Sequence, residues 1–384
     1  MNVLVFGCGL MGRAIALDLV EANEVETVTV GDAAIEKLKA LETETKAEKL
    51  STQKIDVSNR TKLANFMKRF DVVTNALPHS FSVATDRAAI KSGVSIVDLS
   101  FDDEHMQLDA AAKKAGVTVI PGCGVAPGLT NILTGYAYGQ LDKTESVEMM
   151  CGGLTPKPSS PLLWKFVFTL EGAWGLYLKR PRIVRNGQIV EVEPRSGLER
   201  ISFQEPFNNL EAFYTDGLAS LLYTMRDKIP NMVEKTIRWP GNLERVGVLA
   251  ECGLLSDEPV KVDGMKITPR HFNSLVMTRL LELGDEKDVT LIRVEAIGEK
   301  NDRKVKLRCD MIDYYDEKRK VTSMGRTTGY PCSIAALMIG RGHITTPGVV
   351  PPEVAFRGKQ FEEFEAEIKK RDITFERSIS HLSA

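Results

Sequence analysis

The chain has 384 residues, too many for one compact core, so two domains are expected. It is 43% hydrophobic and 27% charged with a net charge of −2, which argues against nucleic-acid and anionic-membrane partners. No apolar run reaches spanning length, the first strand starts at residue 2 and leaves no room for a signal peptide, and the six cysteines and five histidines are scattered, so a cytoplasmic protein with no disulfide framework and no metal site is expected.

Residues 3–6 are a short apolar run, the pattern of a strand buried in a parallel sheet. The run enters Gly7-Cys-Gly-Leu-Met-Gly12, a G-x-G-x-x-G spacing. In that spacing Gly7 turns the chain tightly, Gly9 leaves room for a diphosphate, and Gly12 lets the next helix pack close to the strand. Leu10 and Met11 open this helix, which is predicted to reach about Ala22 and to aim its free N–H groups at phosphates. A second apolar run, 28–30, ends in Gly31-Asp32. Asp32 stands where a carboxylate accepts hydrogen bonds from an adenosine ribose. A 2′-phosphate beside it would meet repulsion of a few kcal/mol, at ~4 Å and an effective dielectric near ~20. Ala33 and Ala34 offer no arginine to relieve that repulsion, so NAD is expected rather than NADP.

Strand and helix patterns continue to alternate. Strands are predicted at 54–57, 71–76, 94–99 and 117–120, and helices near 60–69, 81–91 and 104–115. This is the grammar of a Rossmann doubly wound parallel sheet, expected over 1–130 and completed by about 331–350. Ligands of such sheets lie beyond the carboxyl ends of the strands. Besides the glycine loop and Asp32, the segments there are Asp56-Val57, Asn75-Ala76-Leu77-Pro78, Ser100 and the loop 121–128, and they are expected to surround one cofactor.

From about residue 145 the runs become longer and richer in β-branched residues, at 146–152, 181–192, 232–239, 289–297 and 305–313. Asn186-Gly187 between two such runs signals a type I′ hairpin. With helices predicted at 216–226, 241–254 and 271–283, residues 131–330 read as an α+β domain on a mixed, largely antiparallel sheet, serving substrate binding and dimerisation. Residues 331–342 read as a helix with Pro331 in its first turn. The tail 351–384 is expected to hold a solvated helix at 359–370 and a loose end.

The loop Gly122-Cys-Gly-Val-Ala-Pro-Gly-Leu-Thr-Asn131 resembles the saccharopine dehydrogenase family. So do Cys151-Gly-Gly-Leu-Thr-Pro156, Tyr214-Thr-Asp-Gly-Leu218, Glu234-Lys-Thr-Ile-Arg-Trp-Pro-Gly241, Gly329-Tyr-Pro-Cys-Ser-Ile-Ala-Ala-Leu-Met338 and Gly348-Val-Val-Pro-Pro-Glu353. The resemblance implies a Rossmann domain, hydride transfer at an amine or imine carbon, and a homodimer or higher homo-oligomer. Saccharopine reductases carry aspartate, histidine and tyrosine where this chain has Ala126, Asn131 and Phe101. Ala126, Asn131 and the T-D-G-L run resemble lysine 6-dehydrogenases instead, which oxidise the terminal amine of L-lysine with NAD and release ammonia. Asn242 departs from that group, which has histidine there. Deamination of L-lysine is therefore the first expectation. A saccharopine-type enzyme joining or splitting an amino acid and a carbonyl compound is the alternative, and a non-catalytic NAD-binding sensor is a reading from another class.

Oxidising an amine requires its C–H to face the nicotinamide and its ammonium to lose a proton first. Three residues are candidates for such work. Cys151 orients substrate or is a small core residue; His79 relays a proton or is a surface histidine; Asp216 faces the amine or, with Thr215, caps the following helix. For the substrate, Arg238 is the candidate that grips the α-carboxylate, with a structural ion pair as its alternative. Lys235 and Asn131 lie in the matched motifs, and Trp164 is a packing residue or lines the pocket.

Overall fold

The computed structural model describes residues 1–382. Its strands, in chain order, are β1 (Asn2–Phe6), β2 (Thr27–Asp32), β3 (Leu50–Lys54), β4 (Val72–Asn75), β5 (Ser95–Asp98), β6 (Thr118–Ile120), β7 (Lys143–Leu154), β8 (Arg182–Arg185), β9 (Gln188–Glu191), β10 (Glu199–Ile201), β11 (Leu210–Tyr214), β12 (Asn231–Arg238), β13 (Val260–Val262), β14 (Met265–Ile267), β15 (Val289–Lys300), β16 (Arg303–Tyr314), β17 (Gly348–Val349) and β18 (Glu376–His381).

Seven of these form a parallel sheet in the order β17-β6-β5-β4-β1-β2-β3. The direction of winding reverses between β1 and β4, and that reversal opens a crevice at their carboxyl ends. Val3, Leu4, Val5 and Phe6 have no exposed surface, which is why β1 reads as an unbroken apolar run. The strand expected at 54–57 lies earlier, at Leu50–Lys54. It is an edge strand with largely exposed polar side chains, so no apolar run marks it, and Asp56 and Val57 fall in the loop beyond it.

The second sheet runs β10-β11-β12-β7-β15-β16-β18, with β8 added beside β12 and β9 beside β8. Only β7 and β12 pair in parallel among its described strands. Both long hairpins turn through left-handed pairs. Asn186 and Gly187 have φ of 50° and 75°, as the N-G signal requires, and Asn301 and Asp302 have φ of 50° and 58°. Polar residues with short side chains tolerate this conformation, which places β15 against β16 in register over their whole length.

Three expectations are corrected here. The late helix is Ser323–Gly340, and Pro331 lies inside it, not in its first turn. Thr322 caps its start by accepting the Gly325 N–H, and the Asp288 carboxylate accepts the N–H groups of Ser323 and Met324. Proline removes one hydrogen bond there, but tertiary packing prevails: a Cβ on Gly329 would already lie 3.1 Å from Ala14 of the first helix, Leu10–Glu21. The helix Lys359–Lys369 is amphipathic, not solvated, and buries Phe361, Phe364 and Ile368. The chain then returns as β18, paired with β16 over Glu376–Asp310 to His381–Val305; residues 383–384 lie outside the described part. The helix expected at 216–226 shrinks to Leu221–Thr224. No helix among the described residues is long and apolar enough to cross a membrane.

Candidate active site

The glycine loop lies at the crevice between β1 and β4. Gly7 has φ of +93°, and a Cβ there would sit 2.6 Å from the Ala76 carbonyl oxygen. A Cβ on Gly12 would collide with the Gly7 carbonyl. Gly9, by contrast, has nothing within 4 Å of its missing Cβ, so open space adjoins the N-terminus of the helix Leu10–Glu21. Asp32 is held at the end of β2 by the N–H groups of Cys8 and Ala34, each 2.7 Å from one carboxylate oxygen. The carboxylate is thereby fixed beside the glycine loop, with lone pairs left for hydroxyl donors.

On the other side of the crevice, Asn75 donates from Nδ2 to Asp98 Oδ2 at 2.7 Å and accepts the Leu77 N–H. Asp98 also accepts from Ser82 Oγ at 2.7 Å and the Ser100 N–H at 2.6 Å. It thus holds in place the segments Asn75–Leu77 and Ser100 that border the crevice. Asp86, Asp98 and His105 converge behind them without exposed surface. Burial raises the Asp86 carboxyl well above its ordinary range and the neighbouring Asp98 raises it further, while burial also raises Asp98.

Beyond the crevice a cavity of about 310 Å³ opens between the two sheets. Met11, Ala76, Leu77, Leu99 and Ser100 line it from the parallel sheet, and the loop Gly124–Pro127 lines one edge. Cys151, Gly152 and Gly153 of β7, with Glu234, Thr236 and Arg238 of β12, form its opposite wall. Trp164, Val167, Phe168 and Leu176 close the far end, and Met324 and Thr328 the base.

Alternation along β12 decides which of its residues reach the cavity. Side chains two apart share a face, so Glu234, Thr236 and Arg238 line it together. Lys235 points the other way and is paired with Glu148 and Glu199. The joint assignment of Arg238 and Lys235 to substrate is therefore corrected: only Arg238 lines the cavity. Glu234 was not singled out from sequence, yet it is 4% exposed, and burial pushes its carboxyl up to about 8. The Thr215 hydroxyl donates to Glu234 Oε2 and lies 3.0 Å from Thr236 Oγ1. Thr215 therefore serves Glu234 and caps no helix.

The remaining candidates separate clearly. Cys151 lines the cavity, and burial raises its thiol, so it stands there as a neutral group. Trp164 lines it too and is fully buried. His79 is exposed, 3.2 Å from Asp102, and does not line the cavity. Asp216 is held by Arg182 Nε at 3.0 Å, and the same guanidinium reaches Asp103 at 2.7 Å, which ties the mixed sheet to the loop after β5. Asn131 is buried in the first turn of the helix Leu129–Gln140, within reach of Ser220 and Glu353, and takes a structural place. Asp56 is exposed and accepts the Ser58 N–H.

A family model described as the saccharopine dehydrogenase NADP binding domain matches residues 3–120, and one described as the saccharopine dehydrogenase C-terminal domain matches residues 124–373. The chain is 24% identical to the Saccharomyces cerevisiae saccharopine dehydrogenase [NADP(+), L-glutamate-forming], over 91% of this chain and 93% of that enzyme. The Pyricularia oryzae enzyme of the same name is 27% identical over 67% of this chain, which spans 58% of that protein. Carboxynorspermidine synthase of Vibrio cholerae is 23% identical over 91% of both. Among solved structures, the Saccharomyces cerevisiae saccharopine dehydrogenase superposes with a TM-score of 0.80 at 20% identity, covering 99% of each chain, and shares the fold.

Proposed function

Because the chain belongs to the saccharopine dehydrogenase family, we propose that it is a pyridine-nucleotide-dependent oxidoreductase acting on a carbon–nitrogen bond of an amino acid, with Glu234 handling the proton. One observation carries this reading: a buried carboxyl raised to about 8 lies in the same cavity as Met11 of the helix after the glycine loop and the segments Ala76-Leu77 and Leu99-Ser100 that follow β4 and β5. The residues present suit a dinucleotide. Gly9 leaves the helix N-terminus open for a diphosphate, Asp32 is fixed beside the glycine loop, where it would meet a ribose, and Met11, Ala76, Leu77 and Ser100 border the cavity where a nicotinamide ring would supply the hydride acceptor.

The chain's own groups then divide the work. An ammonium cannot release a hydride, so the substrate nitrogen gives a proton to ionised Glu234, which Thr215 keeps oriented. The apolar walls formed by Leu99, Val125, Val167 and Leu176 limit water during transfer. Water then adds to the imine carbon, the nitrogen departs as amine or ammonia, and Glu234 returns the proton. Cys151, as a neutral thiol, contributes a weak hydrogen bond and no thiolate chemistry.

The named activities of the relatives favour the saccharopine-type reaction, in which the departing nitrogen belongs to a second amino acid. A second reading, oxidation of the terminal amine of L-lysine with release of ammonia, is favoured by Arg238, the one cation among the described residues lining the cavity. Asp32 supports NAD, whereas the curated relatives are named for NADP(+). A spectrophotometric screen of saccharopine, L-lysine and other amino acids at alkaline pH, with each coenzyme and an ammonia assay, decides among these. Coenzyme reduction by saccharopine without ammonia supports the first reaction; reduction by L-lysine with ammonia supports the second. No reduction of either coenzyme by any amino acid contradicts both.

A further inference from the structure

Glu234 sits against a loop that another segment holds. Thr215 and Gly217, in the loop after β11, both touch it. The Thr215 hydroxyl donates to Glu234 Oε2, and the Thr215 N–H donates to the Glu234 carbonyl at 3.0 Å. A Cβ on Gly217 would lie 2.6 Å from the Glu234 carboxyl carbon. Between these two stands Asp216, which does not line the cavity. Arg182 of β8 grips its carboxylate. Nε donates to Oδ1 at 3.0 Å, Nη2 to Oδ2 at 3.2 Å, and the Arg182 N–H to Oδ1 at 3.2 Å. Nη1 of the same guanidinium donates to Asp103 Oδ2 at 2.7 Å, beyond β5. One planar cation thus binds two carboxylates, one from each domain, and this fixes its plane.

Resting on the oxidoreductase reading above, we propose that Arg182 is a positioning residue for the reaction: it clamps the loop Thr215–Gly217 around Glu234 and neutralises the charge of Asp216 beside the base. A partly exposed ion pair contributes little to folding stability, but the place of this one gives it a second effect.

The groups around Glu234 define that effect. Burial raises its carboxyl, the Thr215 hydrogen bond lowers it, Asp216 raises it again and Arg238 on β12 lowers it. The Cys151 thiol on β7 faces it as a neutral group. Glu211 on β11 accepts the Gly241 and Leu243 N–H groups, and Lys235 is engaged with Glu148 and Glu199 on the other face of the sheet. Asp216 without Arg182 would set an uncompensated negative charge beside the base, and Asp216 without its own charge would set none. Breaking the clamp from its two ends therefore moves Glu234 in opposite directions, which a merely structural pair would not do.

The test titrates the Glu234 carboxyl in the full-length protein by infrared difference spectroscopy, each protein measured against its own Glu234→Gln counterpart, and sets the midpoint beside the pH profile of amine oxidation. Arg182→Met is expected to raise the midpoint by about half a pH unit to one pH unit, and Asp216→Asn to lower it by a similar amount. Arg182→Lys keeps the charge and is expected to restore the wild-type midpoint, while losing part of kcat because an ammonium cannot reproduce the two-point grip. Midpoints that stay at the wild-type value in both Arg182→Met and Asp216→Asn, or that move in the same direction, overturn the clamp. Asp216→Asn preserves shape and decides alone if Arg182→Met does not fold: a midpoint that does not fall overturns the proposal. Opposed shifts without coenzyme reduction would keep the clamp and remove the redox reading; coenzyme reduction without opposed shifts would do the reverse.

Discussion

Glu234→Gln is expected to lower kcat for amine oxidation by about a hundredfold to ten-thousandfold, the usual worth of a positioned general base. Glutamine keeps the size of the side chain and can still accept from Thr215, so a loss of rate reports the lost proton acceptor and not a collapsed cavity. The pH profile identifies the group. Burial holds the Glu234 carboxyl near 8, far above the ordinary 4.5, so at neutral pH it is mostly protonated and cannot act as a base. In the oxidative direction the wild-type rate should climb as pH rises through about 8, and the variant should lack that step. Stability runs the opposite way. Between pH 4.5 and 8 the unfolded chain has released this proton and the folded protein still holds it, so folding stability falls as pH rises across that window. Glu234→Gln should remove that share of the decline, seen as a smaller drop in Tm between pH 5 and pH 9. A variant with wild-type kcat at every pH would remove Glu234 from the chemistry.

Asp32→Asn is expected to shift the ratio of kcat/KM for NAD⁺ over NADP⁺ by about a hundredfold toward NADP⁺. The carboxylate is fixed by the Cys8 and Ala34 N–H groups at 2.7 Å, so it cannot swing away from an arriving 2′-phosphate. At ~4 Å and an effective dielectric near ~20 the repulsion is about 4 kcal/mol per charge pair, and partial screening reduces it to the equivalent of about two decades. Asparagine has nearly the same shape without the charge. Kinetics with both coenzymes settle the matter. Unchanged selectivity would place Asp32 away from the ribose, and a wild-type preference for NADP⁺ would align the chain with the coenzyme named for its relatives.

The nucleotide end of the molecule was legible because its sequence signals are local. An unbroken apolar strand, three glycines at fixed spacing and an acid after the next strand each follow from short-range geometry; Gly7 and Gly12 stand where a side chain would collide, and Asp32 accepts the Cys8 N–H beside them. The substrate end was only partly legible, because its residues meet through tertiary packing. Alternation along β12 was available and would have separated Lys235 from Glu234, Thr236 and Arg238. That a glutamate so placed would be buried could not be read, because it depends on another segment, in which Thr215 donates to Glu234 and Gly217 packs against it. Asp216 and His79 misled for a related reason: both stand in suggestive motifs, but Arg182 and Asp102 are the groups that meet them. Pro331 marks a helix start in isolation, and here the buried face between Gly329 and Ala14 outweighs that preference. Strand β18 had no apolar pattern to read, since its six residues are exposed and it is held by backbone pairing with β16.

The most direct measurement is a crystal structure of the full chain with NAD⁺ and 6-aminohexanoate. The diphosphate is expected at Gly9, the ribose hydroxyls at Asp32, and the reactive nicotinamide carbon open to the cavity walled by Glu234 and Arg238, with the amine nitrogen within hydrogen-bonding reach of Glu234. A nicotinamide ring facing away from that cavity, or an amine seated apart from Glu234, would contradict the assignment of hydride transfer to this site.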